Sequence, residues 1–183
     1  MTKQEMRRFF LNKRGEADKD KLEEWSAAIE EHILAYIAER NIKSVLGYVA
    51  FRNEPETRGL SRRLVQEGIC VGLPACEGNG IMQFYRLTDF DKLSPGRFGI
   101  MEPPKDFPLE PDAFELVLVP GAGYGRDMSR VGYGAGYYDR YLPKCKNAVL
   151  AGVTYNCCLT TTIPQEEKDV PMDMVFTEKG IVK

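Results

Sequence analysis

Between Val117 and Tyr141 a short apolar run leads into two clusters of glycine, and the second cluster opens directly onto a run of aromatic residues. The six glycines of this segment lie at positions 121, 123, 125, 132, 134 and 136. Because glycine has no Cβ atom, it adopts positive φ readily and lets a ligand come close to the backbone N–H groups. A helix that begins nearby adds the positive end of its dipole. We therefore predict a phosphate-binding turn at the carboxyl end of a buried strand.

The spacing of these glycines differs from the two common phosphate-binding motifs. A P-loop pattern occurs nowhere in the chain, and the last glycine of a Rossmann pattern would fall on Tyr137. Asp139 lies one helical turn beyond the second cluster, where a carboxylate can hold Mg²⁺ together with waters. Asp139 could equally pair with Arg140 or a lysine, and the glycines could form a surface turn without a ligand. The spacing of these residues does not decide between a phosphate site and these two alternatives.

Composition and charge narrow the class of protein. The chain has 183 residues, of which 43% are hydrophobic, enough for one well-buried core and too few for two comfortable domains. The net charge of −2 predicts no general affinity for nucleic acid or membranes, and no apolar run is long enough to span a bilayer. The five cysteines form no Cys-x-x-Cys pair and the single histidine lies in a helical pattern, so we expect reduced thiols and no zinc site. We expect a cytoplasmic protein, monomeric or a weak homo-oligomer.

Strand and helix patterns alternate along most of the chain. Short apolar runs predict strands. Such runs occupy residues 44–51, 69–74, 80–87, 115–120, 148–155 and 174–177. Helical patterns cover residues 2–14, 18–40, 58–67 and 136–142, and a long ordered loop is expected at 94–112. This alternation predicts an α/β fold with a largely parallel sheet covered on both faces. Ligands of such sheets bind beyond the carboxyl ends of the strands, where both Glu54 and the glycine segment lie.

The first helix carries three cations on one stripe. Lys3, Arg7 and Arg14 share a face, with Phe10 between them. A solvated face is the ordinary interpretation. However, Lys3 and Arg7 lie in the first turns, where the helix dipole disfavours cations, so an anionic partner is the alternative.

Taken in order, these motifs resemble the 5-formyltetrahydrofolate cyclo-ligase (methenyltetrahydrofolate synthetase) family over nearly the whole chain. The string Gly-x-Gly-Tyr-Tyr-Asp, from Gly134 to Asp139, is the most specific part of the resemblance. The other matching motifs are Lys3-x-x-x-Arg7, Glu54-x-Glu56-Thr57, Leu73-Pro74, Phe98-Gly99-Ile100, Glu102-Pro103, Pro120-Gly121, Arg130-x-Gly132, and Ile163-Pro164 leading to Asp169 and Asp173.

The resemblance implies an ATP- and Mg²⁺-dependent closure of 5-formyltetrahydrofolate to 5,10-methenyltetrahydrofolate, with release of ADP and phosphate. It also implies a single-domain three-layer α/β/α sandwich over residues 1–183, in which helix 2–14 contributes to the nucleotide site. ATP contacts are implied for Lys3, Arg7, Arg130, Val131, Gly132, Tyr133, Gly134, Ala135, Gly136, Tyr137 and Tyr138. Folate contacts are implied for Glu54, Phe98, Tyr133, Gly134, Ala135, Gly136 and Tyr137; catalytic roles for Arg130, Tyr137 and Asp139; and Mg²⁺ ligands at Asp139 and Asp169.

The chain departs from the family pattern at four positions. Tyr133 and Ala135 stand where some members carry basic residues, which would leave more of the phosphate charge to Lys3, Arg7 and Arg130. Gly125 and Cys158 replace an Asp and a Gln found in other members, and we expect these two changes to alter metal and pterin contacts.

Two other classes of function are compatible with parts of the sequence. An enzyme of related fold could use the glycine segment for a sugar phosphate or CoA ester without ATP. A non-catalytic nucleotide sensor could bind ATP without turning it over.

Overall fold

The computed structural model describes all residues from Met1 to Lys183. Its helices are α1 (Lys3–Gly15), α2 (Lys19–Arg40), α3 (Arg58–Gln66) and α4 (Tyr137–Tyr141), and none of them is long and apolar enough to cross a lipid bilayer. The strands are β1 (Ser44–Leu46), β2 (Cys70–Gly78), β3 (Ile81–Arg86), β4 (Ser94–Pro95), β5 (Met101–Glu102), β6 (Leu116–Val119), β7 (Gly123–Gly125), β8 (Arg130–Val131), β9 (Val149–Val153), β10 (Leu159–Thr160), β11 (Met174–Thr177) and β12 (Gly180–Val182).

The main sheet has seven strands in the order β12-β11-β9-β6-β1-β2-β3. The five central strands run parallel, while β12 and β3 pair antiparallel at the two edges. A largely parallel sheet, predicted from the alternation of strands and helices, is therefore confirmed. A second sheet of β10, β7 and β8, and the edge strand β12, were not predicted.

Helices and loops cover both faces of the main sheet. All four residues of β6 are buried, and successive residues point to opposite faces. Leu116 and Leu118 face a core built with α2 and α3, whereas Val117 and Val119 face a core built with α4. This is the three-layer arrangement, and it explains why β6 reads as an uninterrupted apolar run.

Strand β1 is shorter than the predicted strand 44–51. After Leu46 only the amide of Gly47 still bonds across the sheet, to the carbonyl of Gly72 at 2.8 Å. The Thr57 hydroxyl donates to the Tyr48 carbonyl at 2.6 Å, and the Phe51 amide donates to the Glu54 carboxylate at 2.9 Å. Hydrogen bonds from side chains of the following turn thus replace the hydrogen bonds between strands. The chain leaves the sheet at this point and lines the cavity described below.

The first glycine cluster has a different role from the one predicted. Gly123 and Gly125 are the first and last residues of β7, which is a buried strand and not an open turn. A Cβ atom on Gly123 would lie 2.2 Å from the Phe10 ring, and one on Gly125 would lie 2.2 Å from the Ser129 hydroxyl. These glycines therefore make room for packing against α1 and the next turn, and neither of them lines the cavity described below.

Candidate functional site

A cavity of about 950 Å³ lies beyond the carboxyl ends of β1, β2 and β6. That volume is at the upper end of the range for small-molecule sites. Its walls come from α1, the segment after β1, the loop around Phe98, the second glycine cluster, α4 and residues 166–170. The fold therefore brings together segments that are far apart in the chain, at the edge where parallel sheets bind ligands.

Almost all of the residues predicted from the sequence line this cavity. They are Lys3, Arg7, Glu54, Phe98, Arg130, Asp139, Asp169 and the run from Gly132 to Tyr138. Val131 is the exception, because its side chain is fully buried with Met6 and Phe10 in the core beneath α1. The departures at Gly125 and Cys158 also lie outside the cavity lining. Cys158 packs under α1, so neither position can act on a ligand by direct contact.

The stripe of Lys3, Arg7 and Arg14 on α1 is not a solvated face. Arg7 Nε donates a hydrogen bond to the Gly132 carbonyl at 2.6 Å. Lys3 forms an ion pair with Asp169, and its ammonium lies 3.9 Å from a Glu166 carboxylate oxygen. Arg14 is completely buried. The stripe therefore faces the protein and the cavity, which favours the anionic-partner interpretation for Lys3 and Arg7.

The second glycine cluster has the backbone shape that the sequence predicted. Gly134 and Gly136 have φ of +96° and +67°, and α4 begins at the next residue, Tyr137. Residues with a Cβ atom take this left-handed conformation at a cost of about 1–2 kcal/mol. A Cβ atom on Gly134 would also lie 3.4 Å from the guanidinium of Arg7. The turn thus keeps bare backbone directly beside a cation.

The two predicted metal ligands line the same cavity, and each contacts a cation. Asp139 accepts a hydrogen bond from Arg130 Nη2 at 2.6 Å, and Asp169 is paired with Lys3. Burial works to raise the pKa of Asp169, but Lys3 and a backbone amide outweigh it and lower that pKa. Asp169 is therefore charged, as a metal ligand must be.

The donor set fits Mg²⁺ better than a metal that needs a complete protein cage. No group of three or more His, Cys, Asp or Glu side chains stands ready to hold an ion. Mg²⁺ is usually held by one or two carboxylates, with waters and substrate phosphates completing the octahedron. Asp139 and Asp169 meet that requirement only if a phosphate-bearing ligand supplies further oxygens.

Arg130 is buried between the glycine turn and α4. Its Nη1 donates to the Pro120 carbonyl at 3.3 Å, and its guanidinium lies 5.9 Å from the centre of the Tyr138 ring. The Nε atom is buried without a hydrogen-bond partner. Arg130 thus links the end of β6 to Asp139 and retains an unused donor, and an unpaired buried donor is costly.

Glu54 is a buried residue of the cavity wall, in an unusual environment for a carboxylate. The Tyr133 hydroxyl donates to Oε1 at 2.6 Å, and the Phe51 amide donates to Oε2 at 2.9 Å. Arg14 Nη2 in turn donates to the Tyr133 hydroxyl at 2.7 Å. Burial raises the pKa of Glu54 from 4.5 to about 7, although these contacts oppose the rise. The carboxyl group therefore titrates near neutral pH.

The shifted pKa of Glu54 predicts a pH-dependent stability. The folded state holds this proton more tightly than the unfolded chain between pH 4.5 and 7. The free energy of unfolding should therefore fall as pH rises through that window, by about 3 kcal/mol from this group. Urea unfolding at a series of pH values measures the effect. Glu54→Gln lacks the titration, so its curve should be flatter over the same window; parallel curves would contradict the assignment.

Several cavity residues were missed by sequence reasoning. Cys76 and Glu102 also line the cavity, and the Cys76 amide donates to the Glu102 carboxylate at 3.1 Å. Met82 and Ile100 add apolar surface beside them. Phe98 lies at the rim, 59% exposed and with a left-handed φ of +64°. No local pattern marks the missed residues, because their role depends on how β2 and β3 pack against the loop.

Known proteins resemble this chain in sequence and in structure. The sequence model of the 5-formyltetrahydrofolate cyclo-ligase family matches residues 1–178. The 5-formyltetrahydrofolate cyclo-ligase of Mycolicibacterium smegmatis is 34% identical, over 76% of this chain and 76% of its own length. The Saccharomyces cerevisiae protein of the same name is 26% identical, over 99% and 97% of the two chains.

A solved structure with the same architecture is available for comparison. The structure of Aquifex aeolicus 5,10-methenyltetrahydrofolate synthetase superposes with a TM-score of 0.89 at 28% identity, covering 100% of this chain and 93% of that one. The Mycoplasma pneumoniae protein of that name superposes with a TM-score of 0.81 at 21% identity, over 97% and 99% of the chains. The second similarity supports the fold alone.

Proposed function

Because this chain belongs to the 5-formyltetrahydrofolate cyclo-ligase family, we propose that its cavity uses ATP and Mg²⁺ to close 5-formyltetrahydrofolate into 5,10-methenyltetrahydrofolate. Membership of this family makes the chain an enzyme, a cyclo-ligase, and ATP would be its co-substrate. The observation that carries the proposal is the single cavity in which Lys3, Arg7, the glycine turn, two carboxylates and Glu54 all meet.

The first chemical step activates a poor leaving group. The formyl oxygen of the folate attacks the γ-phosphorus of ATP, and the bond from that phosphorus to ADP breaks. Such a transfer needs mainly in-line positioning and neutralisation of charge. Lys3, Arg7 and Arg130 would hold the triphosphate, together with the backbone between Val131 and Tyr138.

Residues at the start of α4 would set the charge around the phosphoryl group during its transfer. Asp139 and Asp169 would hold Mg²⁺, whose charge offsets that of the phosphate oxygens when it is bound. Arg130 orients Asp139 through their 2.6 Å contact and adds a further positive charge. Tyr137, in the first turn of α4, would border both substrates. We therefore assign the catalytic roles to Arg130, Tyr137 and Asp139.

The second step closes the ring. The N10 amine of the same folate attacks the activated formyl carbon, the bond from that carbon to the phosphate oxygen breaks, and N10 loses its proton to solvent. No protein nucleophile takes part, which agrees with a cavity that has no histidine in its walls. Glu54 would contact the pterin, the turn from Tyr133 to Tyr137 would border the folate, and Phe98 would stack at the rim.

We also propose that residues 1–183 act as one unit, as a monomer or a weak homo-oligomer. The cavity walls run from Lys3 on α1 to Val170, so α1 is part of the site rather than an appendage.

An absorbance assay tests the function. The purified protein with Mg²⁺, ATP and 5-formyltetrahydrofolate should develop the near-ultraviolet absorbance of the methenyl product, and omission of ATP should abolish it. ATP binding without this signal would favour a nucleotide sensor. Indifference of the protein to ATP would favour an enzyme acting on a sugar phosphate or CoA ester.

Replacing Arg7 with alanine tests the nucleotide side of the site. The variant should raise the KM for ATP about tenfold or more, because a charge-assisted contact to phosphate contributes about 1.5–3 kcal/mol. The KM for the folate should change little. Arg8→Ala, an exposed neighbour on the same helix, is the matched control. An unchanged KM for ATP in Arg7→Ala would remove α1 from the nucleotide site.

A further inference from the structure

We propose that Arg14 is a positioning residue for the folate side of the site, holding the Tyr133 hydroxyl and, through it, the Glu54 carboxylate. Arg14 does not line the cavity, so it would act without touching either substrate. The hydrogen bonds that run from Arg14 through the Tyr133 hydroxyl to Glu54, which we call the relay, are contacts of the folded chain. Only its consequence for the folate rests on the function proposed above.

The burial of Arg14 calls for a compensating negative charge. The side chain lies in the last turn of α1 and is completely inaccessible to solvent. Its Nη1 donates to the Gly121 carbonyl at 3.1 Å, its Nη2 donates to the Tyr133 hydroxyl at 2.7 Å, and its Nε has no partner. A buried guanidinium is very costly unless a negative charge balances it. The carboxylate that this network reaches is Glu54, one hydroxyl group beyond Arg14.

The donor chemistry of arginine fixes the direction of the relay. A guanidinium has only donors, so the Tyr133 oxygen must accept from Arg14. The phenolic proton is then free to point at Glu54 Oε1, 2.6 Å away. Burial also raises the pKa of Tyr133, so its hydroxyl keeps that proton. Arg14 therefore turns Tyr133 into a fixed donor toward Glu54.

Arg14 has a different task from the other cations of its stripe. Arg7 contacts the Gly132 carbonyl and Lys3 pairs with Asp169, so both face the proposed nucleotide side. Arg14 instead contacts the one aromatic residue of the glycine turn that reaches Glu54. Helix α1 would thus serve both halves of the cavity through separate residues.

Arg14 is the only cation among the groups that act on Glu54. Tyr48, Tyr124, Tyr133 and Tyr138 surround the carboxyl group from four different segments, and burial raises the pKa of each of them. These phenols therefore stay neutral in the working range of pH. Arg14 lowers the pKa of Glu54 against the effect of burial. Loss of the guanidinium charge should accordingly raise the pKa of Glu54 above about 7.

A direct titration of Glu54 in the ligand-free protein tests the relay. The Glu54 carboxyl carbon can be followed by ¹³C NMR, with the signal assigned by its loss in Glu54→Gln. Arg14→Gln should raise the pKa of Glu54 by about one unit or more, that is, about a tenfold change in proton affinity. Arg14→Lys keeps the positive charge and should raise the pKa of Glu54 less than Arg14→Gln does. Arg8→Gln, on the exposed face of α1, is the control and should leave the titration unchanged.

Kinetics test the consequence for the folate. At neutral pH, Arg14→Gln should raise the KM for 5-formyltetrahydrofolate about tenfold, with the KM for ATP within about twofold of the parent. The acidic limb of kcat/KM for the folate should move to higher pH, so that alkaline pH partly restores the activity. A defect that is equal for both substrates and independent of pH would mean that Arg14 only supports the fold, and would overturn the proposal.

A second variant keeps the proposal falsifiable if Arg14→Gln does not fold. Tyr133→Phe breaks the relay while leaving the buried guanidinium in place, and it should also raise the pKa of Glu54. An unchanged titration in Tyr133→Phe would overturn the relay. Because the titration needs no turnover, it distinguishes failure of the relay from failure of the proposed reaction.

Discussion

Replacing Asp139 with asparagine should lower kcat by about 100- to 1,000-fold while the fold stays intact. The amide keeps an oxygen that can accept from Arg130 Nη2, now 2.6 Å from the carboxylate, so the local geometry should survive. The negative charge is lost, and with it the proposed hold on Mg²⁺ and the partner of a guanidinium that is only 6% exposed. Steady-state turnover, measured across a series of Mg²⁺ concentrations, tests this expectation.

The control for Asp139→Asn is a carboxylate outside the cavity. Asp173 accepts from the Leu150 amide at 2.7 Å and is solvent exposed, so Asp173→Asn should leave turnover near the parent value. Thermal unfolding of both variants separates a lost ligand from a lost fold. A near-normal Mg²⁺-dependent rate in Asp139→Asn would show that the metal assignment is wrong.

Replacing Gly134 with alanine should produce the second large effect, a loss of ATP binding of about tenfold or more. Gly134 has a φ of +96°, and its missing Cβ atom faces the Arg7 guanidinium at 3.4 Å. The added methyl group would strain the turn and would lie in van der Waals contact with the cation that we assign to the phosphates, where it covers backbone that is now bare. Direct titration of ATP by calorimetry measures the loss.

The same type of backbone strain can be introduced far from the cavity. Gly68, at the end of α3, has a φ of +80° with no atom within 4 Å of its missing Cβ. Gly68→Ala and Gly134→Ala should therefore lose similar stability, on the order of 1 kcal/mol, but only Gly134→Ala should lose ATP affinity. Equal ATP affinity in the two variants would show that the glycine turn does not bind the nucleotide.

The architecture could be predicted from the sequence because its signals are local. The apolar residues of α2 recur at helical spacing, and the run Leu116–Val119 has no polar interruption because both faces of β6 are covered. The rule that parallel sheets bind ligands beyond their carboxyl ends then placed Glu54 and the glycine turn at one edge. The resemblance to a family supplied the residues expected at that edge.

Other features depended on contacts between distant parts of the chain. The glycines at 121, 123 and 125 looked equivalent to those at 132, 134 and 136, yet Gly123 makes room for the Phe10 ring of α1. Arg14 looked like one more surface cation, yet it is completely buried beneath the glycine turn. Neither outcome can be predicted from the neighbouring residues in the sequence, because a Cβ clash or a buried charge arises only when two distant segments pack together.

The sequence by itself thus determined the parallel sheet, the flexible turn beside a helix and the chemical groups available for phosphate and folate. The tertiary structure alone decided which of these groups meet, for example Tyr133 with Glu54 across 79 positions and Arg7 with Gly132 across 125. The physical reason is one of range. Backbone propensity and apolar periodicity act over a few residues, whereas burial and the pairing of charges depend on how the whole chain is packed.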